Sequence, residues 1–152
     1  MLTRRMFVLS VTALPVAAAL SLPAFAASPE VFSAGGVAIN GYDPVAYFTQ
    51  MKPVKGTPAH MLDWNGASWQ FASASNLAAF EANPRAYAPQ YGGYCAYAVA
   101  QGYTAKTDPD AWTIVQGKLY LNFSKSVRRR WERDIPGQIA AADMNWPDVL
   151  AK

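Results

Sequence analysis

The sequence predicts an α+β fold: a small antiparallel sheet built from hairpins and packed by three or four short helices. Three observations carry this. Asn65-Gly66 and Gln116-Gly117 each stand between short runs that alternate or concentrate aromatic and aliphatic residues, the pattern of a hairpin. Each hairpin is followed by serines and then by apolar residues at helical spacing. Finally, 10 glycines and 11 prolines cut the remainder into short pieces.

Residues 1–26, "MLTRRMFVLSVTALPVAAALSLPAFA", read as an export signal peptide. Arg4 and Arg5 precede an apolar run, and Ala24-Phe25-Ala26 gives a small-x-small exit. The run is broken by Pro15 and is short for a membrane span, which needs about 20 apolar residues. "TRRMFV" resembles a twin-arginine signal, with Val8 where leucine is usual. The expected product is residues 27–152, a single domain in the periplasm or secreted, with no membrane span after signal removal. Loss of Arg4 and Arg5 brings the 13 basic residues close to parity with the 10 acidic ones. Near-neutral charge and export both argue against nucleic acid as a partner.

The elements follow in order. Val37 to Asn40 is expected as a short strand. Asp43 then caps a helix with Pro44 at its first position, where the missing N–H is harmless. "HMLDWNGASWQFAS" is the first hairpin, and Ser73 or Ser75 caps "SNLAAFEANP" with Leu77 and Phe80 on one face. "PRAYAPQYGG" is irregular or a single turn, and the chain is briefly helical from Cys95 to Ala100. "WTIVQGKLYLNF" is the second hairpin, with Trp112 and Ile114 alternating on one strand and Leu119, Leu121 and Phe123 on the other. Ser124 or Ser126 caps a helix that carries Val127, Trp131 and Ile135 inward. Its arginines form a solvated face, with Arg129–Glu132 or Arg130–Asp134 pairing. A last helix starts near Pro136, with Ile139 and Ala142 inward. No internal repeat is legible.

The motifs "GYDPVAYF", "NGASWQFAS", "FEANPRAYAPQYGGYCA", "DPDAWTIVQGKLYLN" and "NWP" together resemble the YHS-domain family, in a secreted, longer branch. The resemblance covers nearly all of residues 27–152. It implies a link to soft metals, because the shorter metal-associated members carry cysteines. Those cysteine positions fall here on Ala46, Ala72 and Asn76, so all three thiols are missing while Asp43, Pro44, Phe71, Ser73 and Phe80 remain. The family's histidine falls close to His60, one residue out of step.

One thiol is left, Cys95 in "YGGYCA". Cys95 and His60 are the candidate metal ligands, with Met51, Met61 or Met144 as thioether helpers. A Cys, His and Met set favours copper, so copper is the first expected metal and a transition metal ion the expected partner. The plainer reading of Cys95 is a small buried side chain, since free cysteine is among the most buried residue types. An intermolecular disulfide is a third. No orienting group or oxyanion motif accompanies the Cys–His pair, so no enzyme activity is expected. Asp108 and Asp110 read as turn residues. The leading expectation is a non-enzymatic soft-metal-binding protein centred on Cys95. The alternative is an interaction or scaffold module that has lost its relatives' cysteine site.

Overall fold

Tight turns built on residues with positive φ organise the chain. The computed structural model describes residues 26–152, so the predicted leader lies outside the described residues except for Ala26. Strands β1 (Ser33–Ala34) and β2 (Val37–Ala38) pair antiparallel across Gly35-Gly36. Ile39, Asn40 and Gly41 then all take positive φ, at 40°, 59° and 74°. This left-handed turn ends the strand two residues earlier than the sequence predicts. Helix α1 (Ala46–Thr49) follows.

The first predicted hairpin is β3 (Thr57–Trp64) and β4 (Ala67–Phe71). At its tip Asn65 and Gly66 have φ of 53° and 81°, which matches the twist of paired strands. Ser73 caps α2 (Ala74–Ala82), its hydroxyl accepting the N–H of Asn76 at 3.2 Å. Pro84 opens α3 (Pro84–Tyr87), and α4 (Ala96–Ala100) follows a second left-handed turn. The second hairpin is β5 (Trp112–Val115) and β6 (Lys118–Leu121), turning at Gln116-Gly117. Ser124 caps α5 (Lys125–Trp131), and Asp134 caps α6 (Ile135–Asn145). The α+β class stands, with small hairpin sheets and short helices. The strands form two sheets: a four-stranded one in the order β1-β2-β4-β3, with β2 parallel to β4, and the separate pair β5-β6.

Two apolar cores lie on either side of β6. Trp69, Phe71, Phe80, Leu119 and Leu121 belong to the first. Tyr91, Val99, Tyr120 and Trp131 belong to the second. Successive strand residues point to opposite faces, so a strand between two cores is buried on both. That is why Leu119, Tyr120 and Leu121 are all buried, where the sequence predicted simple alternation. Phe123, expected inward, is 45 % exposed because it lies beyond the strand end. The helix ion pair is Arg128–Glu132 at 3.4 Å rather than either predicted pair. Both partners are about one-third exposed, so it contributes little.

The two halves repeat each other, contrary to the sequence expectation. Met61 to Trp64 pair with Gln70 to Ala67, and Trp112 to Val115 pair with Leu121 to Lys118, in the same register about the turn. Each hairpin runs into a serine-capped helix in which a second serine contacts the first: Ser73–Ser75 at 3.0 Å and Ser124–Ser126 at 2.9 Å. Each helix buries one large aromatic completely, Phe80 in α2 and Trp131 in α5. Phe80 lies 5.1 Å from the ring of Trp69 at 33°, and Trp131 lies 5.3 Å from that of Tyr120 at 36°. The left-handed turn recurs at Tyr91, Gly92 and Gly93, with φ of 57°, 61° and 83°. Little of this is visible as identity, because a repeated backbone needs the same φ signs and donors rather than the same side chains.

Candidate functional site: the paired anchors Asp43 and Cys95

Each left-handed turn delivers one buried residue to the start of a short helix. In the first half it is Asp43, which is fully buried. Its Oδ1 accepts the N–H groups of Val45 at 2.9 Å and Ala46 at 3.3 Å. Its Oδ2 accepts the N–H of Ala72 at 2.8 Å and the side-chain amide of Asn76 at 2.7 Å. The predicted cap is displaced: α1 begins at Ala46 with Val45 at the cap position, so Pro44 precedes the helix, and the Asp43 carboxylate instead holds the turn leading into α1 and ties the end of β4 and α2 to it. Four donors compensate the loss of water around the charge.

Ala46, Ala72 and Asn76 are the three positions at which the resemblance expects thiols. The structure brings all three to one point, the carboxylate of Asp43. Neither alanine offers a side-chain donor atom to a metal, and the amide of Asn76 is already committed.

In the second half the equivalent residue is Cys95. The N–H of Asp43 donates to Val54 O, and that of Cys95 to Ala105 O. The N–H of Tyr42 donates to Ile39 O, and that of Tyr94 to Tyr91 O. Phe123 N donates to the Cys95 sulfur at 3.2 Å, as Ala72 N does to Asp43. The thiol in turn donates to Oδ1 of Asn122 at 3.6 Å, and the same oxygen accepts Tyr97 N at 3.1 Å. The polarity of the side-chain partner is reversed between the halves. A carboxylate needs a donor and has the amide NH₂ of Asn76; a thiol needs an acceptor and has the amide oxygen of Asn122. Asn122 is itself fully buried, and its Nδ2 has no partner among the described residues.

Cys95 is 1 % exposed. Burial pushes its thiol above the ordinary value of 9.0, and the N–H groups of Ala98, Phe123 and Tyr97 draw it part of the way back. A protonated, enclosed thiol is a poor nucleophile and a poor metal ligand. His60 stands on β3, half-buried, in the other half of the molecule. Met51, Met61 and Met144 are all exposed. None of these residues is among the hydrogen-bond partners of the sulfur. Among the described residues no three His, Cys, Asp or Glu side chains gather as a metal-binding group.

Sequence reasoning missed Asn122. Its signal was present, as a lone polar residue at the end of the apolar run "LYLNF". The turn reading of Asp108 holds, its side chain accepting Asp110 N at 2.9 Å. Comparison with family models, with curated proteins and with solved structures returns no match. No helix among the described residues is long and apolar enough to cross a membrane.

Proposed function

We infer that the chain is an exported, non-enzymatic interaction module of the YHS type, in which internal hydrogen bonds have taken the place of a metal cage. One observation carries this reading. The three positions that the resemblance assigns to thiols converge on Asp43, whose carboxylate is already saturated by their N–H and amide groups. The second half repeats the arrangement with Cys95, whose sulfur is enclosed and bonded to Asn122 and Phe123. Both anchors hold the helix starts in place, which leaves the outer surface as the working part. The leader "MLTRRMFVLSVTALPVAAALSLPAFA" supports export to the periplasm.

The test is a copper(I) titration of residues 27–152 beside the Cys95→Ser variant. The module reading expects no tight binding by either protein, and a modest loss of stability in the variant. Stoichiometric copper(I) binding by the wild type that disappears in Cys95→Ser overturns it, and installs a soft-metal protein centred on Cys95 instead.

A further inference from the structure

A mixed polar and aromatic cleft lies away from both anchors, where the two halves meet. Its volume is about 410 Å³, within the range of small-molecule sites. The tip of the β3–β4 hairpin brings Trp64 to it, and the start of β6 brings Lys118. Helix α3 contributes Arg85, the second left-handed turn contributes Tyr91, and Trp146 follows α6. Glu30 closes the rim from the N-terminal lead-in.

The aromatic walls are held from behind. Trp64 packs against Trp69 at 5.9 Å and edge-on against Phe80 at 5.6 Å. Trp146 packs against Tyr91 at 6.0 Å and Tyr94 at 6.4 Å. Both indoles are only half-buried, so each keeps surface free while its position is fixed. Rigid aromatic surface lowers the ordering cost of a bound ligand. The fixed floor depends on Tyr91, whose hydroxyl donates to Asp143 at 2.9 Å.

The rim is cationic. Arg85 and Lys118 form no ion pair among the described residues, and Glu30 pairs with neither. A guanidinium presents a planar fork suited to a carboxylate, and an indole favours a flat apolar face. We propose that this cleft binds a small organic anion, a carboxylate carried on a flat apolar body. The site goes beyond the module reading and uses neither Asp43 nor Cys95, so the failure of either leaves the other standing.

The probe is 1-naphthoate, titrated into ¹⁵N-labelled residues 27–152 while the five indole N–H signals are followed. Saturable shifts of Trp64 and Trp146 are expected, with Trp131, fully buried in the second core, unmoved. Arg85→Gln combined with Lys118→Gln is expected to weaken binding about tenfold or more, which is about 1.4 kcal/mol. Glu30→Gln is expected to tighten it. All three side chains are exposed, and the Trp131 signal reports that each variant is folded. Neutral 1-naphthamide is expected to bind about tenfold more weakly than the carboxylate. Absence of saturation to about 10 mM, a Kd beyond the useful range, overturns the proposal. So does equal binding of the amide, indifference to the Arg85/Lys118 change, or the same shifts from inorganic phosphate, which lacks the apolar body.

Discussion

Asp43 and Cys95 hold equivalent places in the two halves of this molecule. Each stands two residues after a run of three positive-φ residues and just ahead of a short helix, Cys95 at the cap of α4 and Asp43 three residues before α1. Each accepts a backbone N–H from the residue just ahead of a capping serine: Ala72 before Ser73, and Phe123 before Ser124. A carboxylate in one half and a thiol in the other serve the same backbone geometry, and their side-chain partners have switched from donor to acceptor to match.

Removing the first anchor exposes how much hangs on it. Asp43→Ala leaves the buried N–H groups of Val45 and Ala46, the N–H of Ala72 and the side-chain amide of Asn76 without their acceptor. Each lost partner costs about 1–3 kcal/mol, with partial relief from water. The expected loss is about 3 kcal/mol or more in urea unfolding. A loss below about 1 kcal/mol contradicts the anchoring role.

The thiol of Cys95 is expected to resist alkylation by iodoacetamide in the native state and to react at once in urea, because it is buried and protonated. Its raised pKa also sets a sign. Well below its ordinary 9.0 the thiol is neutral in folded and unfolded chains, and no pH slope arises from it. Above that value the unfolded chain loses the proton first, so stability falls as pH rises. Urea unfolding between about pH 8.5 and 10 is expected to show this decline in the wild type and a flatter course in Cys95→Ser. Equal slopes contradict it. Tyr47 and Tyr91 are also shifted upward by burial, and they add a decline only at higher pH, common to both proteins.

Thiols placed at the three converging positions are expected to create a metal site. The variant Ala46→Cys, Ala72→Cys, Asn76→Cys is expected to bind cobalt(II) with the intense ultraviolet bands of thiolate ligation, because three soft ligands near one carboxylate suit a tetrahedral ion. The wild type is expected to show none. A folded triple variant without those bands contradicts the placement of the three positions around one point.

The left-handed turn of the second half tolerates no side chain at its centre. Gly92 has φ of 61°, and a Cβ there falls 1.8 Å from the carbonyl oxygen of Glu30. Gly117 has φ of 73° with open space around it. Gly117→Ala is therefore expected to cost about 1 kcal/mol, the conformational penalty alone. Gly92→Ala is expected to cost at least about 2 kcal/mol more, since backbone must move. Thermal unfolding of the pair decides this, and equal costs contradict it.

The hairpins, the serine caps and the last helix are legible in the sequence because local chemistry dictates them. Asn65-Gly66 needs no distant partner to turn, and Ser73 satisfies an N–H three residues away. The separation into two sheets was not legible, because it depends on β6 lying between two cores, a relation between distant segments. The duplication escaped for another reason. Phe80 and Trp131 differ in chemistry, as do Asp43 and Cys95, yet they occupy the same places; only hydrogen bonds and φ signs reveal the repeat. Cys95 stands out in the sequence as the one thiol, while Asn122, its acceptor, is recognisable only once β6 is seen to end beside it.

The most direct measurement is the stability of Cys95→Asp against Val99→Asp. Both positions are buried, at 1 % and 0 % exposure, and they lie one helical turn apart in sequence. A carboxylate forced into an ordinary apolar position costs several kcal/mol and leaves such a domain largely unfolded. Around Cys95 the N–H groups of Tyr97, Ala98 and Phe123 already face the site, and rotation of Asn122 turns its unpartnered amide nitrogen toward the new carboxylate. Equivalence of the two anchors predicts that Cys95→Asp stays folded with a loss below about 2 kcal/mol, while Val99→Asp does not fold. If Cys95→Asp is as damaging as Val99→Asp, the second anchor is no counterpart of the first.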